Sequence, residues 1–412
     1  MIVSKTNIRF DTYIDYAIYV LLYFYLVVDM YAGYLIVAGG GSSGNTQLFK
    51  FLFYALVILS VVAKNHNYLC LILAFFTWMF FSAVNTQLSY NNANVIDTMS
   101  FFVRFIIIPI LFFYFKMLFN RNKEYTVFLY KKIFLANILV FLVNFILGLL
   151  GYGFASYIVG FGIKGFFHNV HLAAGVLFCF FYYILSKINK ANFNYRIVVY
   201  ILTLFIAILM GTKTAVLSIF LFSIVDLYYN INNKWKALLK FLFPLIMLIM
   251  IFVVTRIILT TEFFYHMYTT IITNIYRGNN LIALVDLFLS GRITQVQIWT
   301  EYYYNNFSVF NLLFGLGYLV RVDGHGPMEM DFFFVFFFYG IVTLLIILFF
   351  YVYLIIMSLK VKNVRLFFFN FIFLLVSFST GYVWMNVMAG VFFAYINACE
   401  LASNSEKASL LI

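Results

Sequence analysis

Residues 331–358 read DFFFVFFFYGIVTLLIILFFYVYLIIMS, and Asp331 at their start is the only charged residue among them. An uninterrupted apolar stretch of about 18 or more residues is typical of a membrane-spanning helix. Similar stretches recur along the chain, which is 65% hydrophobic and 10% charged, whereas soluble domains carry roughly 25% charged residues. The strands of a membrane β-barrel would instead alternate over about 10 residues. We therefore predict an all-α, polytopic integral membrane protein.

The apolar runs divide the chain, residues 1–412, into a single transmembrane domain of about 12 helices. We predict spans at residues 13–38, 48–63, 68–84, 98–119, 133–151, 168–186, 197–210, 215–230, 241–255, 331–358, 366–381 and 386–402. The long interruption at residues 256–330 lies between the ninth and tenth spans. Because this strongly hydrophobic chain concentrates its polar residues there, we expect the loop to contribute to ligand recognition or catalysis.

The distribution of Lys and Arg predicts the orientation of these spans. Short cytoplasmic loops of membrane proteins are enriched in both residues, and 18 of the 26 cations fall on one side of the predicted membrane. Both termini are then cytoplasmic and the loop 256–330 lies on the outer face. The formal charge of +12 follows from this bias, so no nucleic-acid partner is expected. Eight cations depart from the rule and favour an anionic ligand on the outer face: Lys50, Arg104, Lys164, Lys213, Arg256, Arg277, Arg292 and Arg321.

Within the long loop, Ser290-Gly291-Arg292 precedes a helix predicted at residues 293–304, and Trp299 would share a face with Arg292. An arginine fork suits phosphate, and a tryptophan suits a sugar face. A solvated arginine with an interfacial tryptophan remains the alternative. Further along, His325 lies among glycines, and Glu329 and Asp331 stand before the tenth span. These three residues are candidates for a general acid or base. The alternative is structural, because a carboxylate at the N-terminus of a helix is favourable.

Other polar residues are predicted to face the same side. Lys213 lies in a short hairpin, where it either binds an anion or extends to the interface. His168 and Asn169, with His171 one turn later, open the sixth span, either as a ligand pair or as helix-end packing. Arg104 either lines a cavity or extends outward. The cysteines Cys70, Cys179 and Cys399 have no metal-binding spacing, and we expect no metal and no cofactor.

An ordered set of motifs resembles the O-antigen polymerase and O-antigen ligase superfamily of bacterial envelopes. The likeness covers about residues 160–345 and comprises His168-Asn169, Gly211-Thr212-Lys213-Thr214, Ser290-Gly291-Arg292 with Trp299, Gly315 and Gly317, and Glu329-Met330-Asp331 with Gly340. Three positions depart from the pattern. Lys213 stands where the pattern has arginine, Thr343 replaces its second closing glycine, and His325-Gly326 replaces the "HN" of ligases, which favours a polymerase.

The resemblance implies a glycosyltransferase in the bacterial inner membrane. Such proteins join undecaprenyl-pyrophosphate-linked oligosaccharide repeat units at the outer face of the membrane. The partners that the resemblance implies are membrane lipid, a flippase and a chain-length regulator. It implies catalytic roles for His325, Glu329 and Arg292. Pyrophosphate or glycan contacts are expected from Arg277, Lys213, Arg256, Arg321, Arg104, His168, Asn169, Trp299 and Asp331. Two alternatives stay open. A ligase-like transferase shares the donor, and a polysaccharide flippase would show short loops and polar residues in many spans.

Overall fold

The computed structural model describes residues 10–39, 44–89, 95–155, 162–167, 170–188, 193–230, 292–317, 330–379 and 387–409, with the single residues 245, 328 and 383. Fourteen helices and one two-stranded antiparallel hairpin lie within these ranges. The helices are α1 (Phe10–Tyr23), α2 (Tyr25–Val37), α3 (Gly44–Lys64), α4 (Asn67–Ser89), α5 (Val95–Arg121), α6 (Lys123–Leu149), α7 (Val170–Lys187), α8 (Phe193–Leu209), α9 (Lys213–Asn230), α10 (Arg292–Asn305), α11 (Val309–Phe314), α12 (Asp331–Lys360), α13 (Val364–Ser379) and α14 (Val387–Ser409). The hairpin strands β1 (Phe154–Ala155) and β2 (Ile163–Gly165) lie between α6 and α7.

The helical class predicted from the sequence is confirmed. Within the described part of the chain, four helical segments are long and apolar enough to cross a bilayer: Asn67–Asn85, Phe101–Arg121, Lys123–Leu149 and Asp331–Lys360. The bent pair formed by α1 and α2 would make a fifth. The count of twelve spans remains a prediction, because the predicted span 241–255 and most of the loop 256–330 lie outside the described residues.

The centre of the bundle is formed by α5, α7 and α14. A side chain at Gly390 of α14 would lie 2.5 Å from Ile108 of α5, and one at Gly175 of α7 would lie 3.0 Å from Ala389. Small residues at these crossings let the backbones approach closely, which is how helices pack where apolar lipid gives no hydrophobic drive. The three helices thereby form one continuous core of buried aromatic and branched side chains.

The first predicted span, residues 13–38, is broken rather than continuous. α1 and α2 meet at a bend of 47° beside Phe24. Asn137 of α6 compensates for the break, because its Nδ2 donates to Leu22 O at 3.1 Å and its Oδ1 accepts from Leu26 N at 3.2 Å. A backbone group that loses its helical partner inside apolar surroundings needs such a replacement.

The tenth predicted span, residues 331–358, is also interrupted. Gly340 in α12 has φ 77° and ψ 176°, and the segment after α11 runs beside the break. Leu316 N donates to Phe337 O at 2.8 Å, and Gly317 N donates to Phe338 O at 2.9 Å. These two bonds satisfy carbonyls that the break frees, and they join α11 to the first half of α12.

The two ends of the bundle differ in how they hold charge. At the end where α8 and α13 begin, Asp226 of α9 is fully buried between two arginines. Its carboxylate lies 2.6 Å from Arg196 and 2.5 Å from Arg365. Arg196 also donates to the carbonyls of Leu185 and Ile188 at the end of α7. At the other end, α7, α9 and α10 begin, and basic residues gather there.

Candidate functional site

The site is built around Arg292, the first residue of α10. Its side chain is buried, and its position is set by the way α10 packs on the first half of α12. The Trp299 ring packs edge-on against Phe338 at 4.8 Å, and the Tyr303 ring lies 5.3 Å from that of Phe336. Because Trp299 is fully buried, it anchors α10 and offers its face neither to a sugar nor to the membrane interface. The helix agrees with the prediction over residues 293–304.

Arg292 meets His171, the second residue of α7. The guanidinium Nη2 lies 3.4 Å from the imidazole Nε2. His171 precedes the apolar stretch Ala173–Lys187. Burial lowers the pKa of His171 from 6.5 to about 4, and the charges of Arg292 and Lys164 act in the same direction. The imidazole is therefore neutral at pH 7, and the guanidinium can donate to it.

Two lysines complete a group that we name the cation cluster, formed by Lys164, His171, Lys213 and Arg292. Burial lowers the pKa of Lys213, and the charge of Arg292 lowers it further. Burial also lowers the pKa of Lys164. Since positive charge lowers the pKa of a neighbouring base, Arg292 adds to the effect of burial on both His171 and Lys213.

The cation cluster draws on four separate elements. His171, Lys213 and Arg292 lie in the first turns of α7, α9 and α10, and Lys164 lies in β2. A helix N-terminus carries partial positive charge, so a cation there is unfavourable and an anion is favourable. Three such helix ends together with Lys164, Lys213 and Arg292 form an arrangement suited to a multiply charged anion such as phosphate or pyrophosphate.

The hairpin that carries Lys164 is held by Asn144 of α6. The Asn144 Nδ2 donates to Lys164 O at 2.9 Å, and its Oδ1 accepts from Phe166 N at 2.8 Å. On its other flank the hairpin touches α2, where the Tyr34 and Phe166 rings meet edge-on at 5.7 Å. The backbone of β2 is thereby fixed between α2 and α6, which positions Lys164 at the cluster.

The structure brings together Arg292 and Lys213 of the predicted site residues, and it shows Asp331 and Arg104 in contacts of their own. Asp331 is buried at the start of α12, and its Oδ2 accepts from Val383 N at 3.2 Å, as expected of a carboxylate at a helix start. Arg104 lies over the Phe101 ring at 4.2 Å. The remaining predicted site residues lie outside the described part of the chain: His168, Asn169, Arg256, Arg277, Arg321, His325 and Glu329.

Sequence reasoning gave no site role to three members of this arrangement. Lys164 was counted only among the outer cations, His171 only as one half of a histidine pair, and Asn144 not at all. An asparagine in the middle of an apolar run is a usable signal, because an amide in a membrane helix needs hydrogen-bond partners. Its partner strand, however, lies twenty residues further along the chain.

No family model, curated protein or solved structure matches this chain. Within the part of the chain that the structure describes, the fold and the site define a predominantly helical protein with four or five helices able to span a membrane and a cluster of bases around buried Arg292 at one end.

Proposed function

We propose that this protein is a surface-polysaccharide polymerase of the bacterial inner membrane. It would join undecaprenyl-pyrophosphate-linked oligosaccharide repeat units at the outer face. The observation that supports the proposal is the cation cluster, in which Lys164, Lys213 and Arg292 converge beside neutral His171. A pyrophosphate is the anion that such a donor carries. The resemblance of residues 160–345 to polymerases and ligases supports the same conclusion.

The cation cluster would act on the leaving group. In the reaction, a hydroxyl oxygen of the acceptor sugar bonds to the anomeric carbon of the donor. The bond from that carbon to the pyrophosphate oxygen breaks, and its electron pair leaves on the pyrophosphate. Cations held in place beforehand stabilise this developing charge without reorganising, which is where electrostatic catalysis is largest. The Arg292 guanidinium supplies the fork geometry that matches a phosphate.

The acceptor proton needs a base. His171 is a poor choice, since its low pKa makes its protonated form unfavourable beside two cations. We assign the proton to His325 or Glu329, which the resemblance implies. Arg256, Arg277 and Arg321 would add contacts to the pyrophosphate or the glycan.

The test is made in a deletion strain that carries the gene on a plasmid. We expect Arg292→Gln to lower polymer formation by about 100-fold or more, the effect of removing one preorganised donor. Arg292→Lys should retain part of the polymer formation, because lysine keeps the positive charge but lacks the fork geometry of the guanidinium. The matched control is Lys360→Gln, which removes an exposed cation at the far end of α12. A full polymer ladder from Arg292→Gln, at normal protein level, would contradict the proposal.

The accumulating intermediate separates the alternatives. A polymerase defect leaves single lipid-linked repeat units on the outer face, whereas a flippase defect leaves them on the inner face. A ligase-like transferase would leave finished polymer on the lipid carrier. Mass spectrometry of the carrier lipids, before and after enzymatic trimming of intact cells, distinguishes these three results.

A further inference from the structure

A cavity of about 210 Å³ lies between α1, α5 and α6. α6 runs from this cavity to the hairpin near the cation cluster, and its 27 residues span about 40 Å at 1.5 Å per residue. The cavity is therefore at the opposite end of the bundle. One water needs only about 10–15 Å³ by the same measure, so the space fits a chemical group of several heavy atoms.

Tyrosine is the most frequent residue in the walls of the cavity. Five tyrosines line it: Tyr16, Tyr19, Tyr114, Tyr125 and Tyr130. The hydroxyls of Tyr16 and Tyr125 lie 3.1 Å apart at the exposed side and bridge α1 to α6. Each phenol both donates and accepts hydrogen bonds, and the rings give an apolar surface. Such walls suit a ligand that carries hydroxyl groups on a carbon chain.

The cavity is lined by one acidic and one basic residue, Asp15 and Arg121. Asp15 lines the cavity, and its Oδ1 accepts from Ser60 Oγ at 2.8 Å and from Lys64 Nζ at 2.5 Å. The Asp15–Lys64 pair is neutral as a unit, and Arg121 presents an exposed guanidinium at the rim. Lys64 beside the carboxylate disfavours a ligand ammonium, whereas Arg121 favours a phosphate.

The cavity opens at the level where two candidate spans end. Asn122 alone separates α5 from α6, both of which contain such a span. Two lining residues, Tyr16 and Tyr125, are exposed aromatic residues. Tyrosine is enriched at the boundary between bilayer and water. A group reaching this cavity from the side would therefore come from the headgroup layer of the membrane.

We propose that this cavity binds the glycerophosphate headgroup of an anionic phospholipid, such as phosphatidylglycerol. Arg121 holds the phosphate at the rim. The terminal hydroxyls of the glycerol reach inward, donate to the Asp15 carboxylate and exchange hydrogen bonds with Tyr114 and Tyr130. This site does not depend on the proposed polymerase activity, since it lies about 40 Å from the cation cluster.

The experiment is native mass spectrometry of the full-length protein in detergent, titrated with phosphatidylglycerol, phosphatidylcholine or phosphatidylserine. We expect one phosphatidylglycerol to bind at least tenfold more tightly than phosphatidylcholine, and more tightly than phosphatidylserine, which is anionic but has no diol. Arg121→Gln should lower the affinity for phosphatidylglycerol about tenfold, and Lys360→Gln should leave it unchanged. The assignment would be overturned if the wild-type protein bound the three lipids with equal affinity. It would also be overturned if Arg121→Gln bound phosphatidylglycerol as tightly as the wild type does.

Two further measurements keep the test decisive. Tyr114→Phe removes one hydroxyl and no ring, so it should weaken phosphatidylglycerol severalfold and leave phosphatidylcholine unchanged; equal weakening of both lipids would refute the diol contact. Soluble glycerol 3-phosphate should displace the lipid at millimolar concentration. If it does not, the retained lipid is bound by its acyl chains, and the headgroup assignment is wrong.

Discussion

Replacing Gly340 by alanine tests the break in α12 directly. The backbone at Gly340 has φ 77° and ψ 176°, a region that only glycine commonly occupies, and forcing another residue there costs about 1–3 kcal/mol. The added Cβ would also lie 2.1 Å from Leu313 O, which is too close to tolerate. Relief requires α11 and the chain after it to move, and that would weaken the bonds from Leu316 N and Gly317 N.

The size of the effect follows from these terms. Two backbone hydrogen bonds contribute about 1 kcal/mol each, so Gly340→Ala should destabilise the protein by about 3–5 kcal/mol in all. The same contact can be tested from its other side, because a Cβ at Gly315 would lie 2.2 Å from Phe338 C. Gly315→Ala should therefore cost a similar amount, and the double variant should cost less than the sum of the two.

Thermal unfolding of the purified protein in detergent measures these changes. The matched control is Gly151→Ala, since Gly151 has φ 86° but no atom within 4 Å of the added Cβ. It carries backbone strain without the collision, so its midpoint should fall least. If Gly340→Ala unfolds at the wild-type temperature, or together with Gly151→Ala, the close crossing of α11 and α12 is not present as described.

Three other outcomes follow from the charged residues. The pKa of His171 is lowered to about 4, so the contribution of this residue to stability is complete above pH 6.5 and is lost as the pH falls toward 4. Between pH 6.5 and 4, the thermal midpoint of the wild-type protein should therefore fall more steeply than that of His171→Gln. Asp226→Asn leaves Arg196 and Arg365 uncompensated and should cost about 3–5 kcal/mol, measured by unfolding. Inorganic pyrophosphate should raise the midpoint of wild type in a salt-dependent way, and Arg292→Gln should abolish that rise.

The class of the fold was predictable because apolar runs determine it almost alone. A run such as residues 331–358 leaves no choice but a helix whose backbone bonds are internal. The start of α10 was predictable for a local reason as well, since Gly291 and the polar residues after it mark a helix boundary. Both conclusions depend on residues that are neighbours in sequence.

The breaks inside two spans were not predictable, because their compensation comes from distant residues. Leu26 N finds its acceptor on Asn137, 111 residues away. The carbonyls freed near Gly340 find donors on the segment after α11. A glycine or an asparagine in an apolar run permits a break, but only the tertiary contact stabilises one. Trp299 shows the same limit, since spacing gave it a face shared with Arg292 but not the aromatic surface of α12 that covers it.

Convergence at the candidate site was only half predictable. The distribution of charge predicts that Lys164, Lys213 and Arg292 lie on the same side of the membrane, but it does not predict that they lie close to one another. Their meeting depends on how Asn144 holds the hairpin and how Trp299 seats α10. Neither contact has a local sequence signature, so the structure was needed to combine scattered cations into one cluster.

The two ends of the bundle place their charged residues differently. At one end Arg196 and the half-buried Arg365 flank buried Asp226, so the chain supplies a counter-charge to both arginines. At the other end Lys213 and Arg292 lie in the first turns of α9 and α10, where a cation costs about 0.3–1 kcal/mol. Burial lowers the pKa of both Lys213 and His171 there, and Arg292 lowers it further, so these two residues are destabilised in their charged forms. A local conflict of this kind is expected at a functional site, and a bound polyanion would reverse its sign.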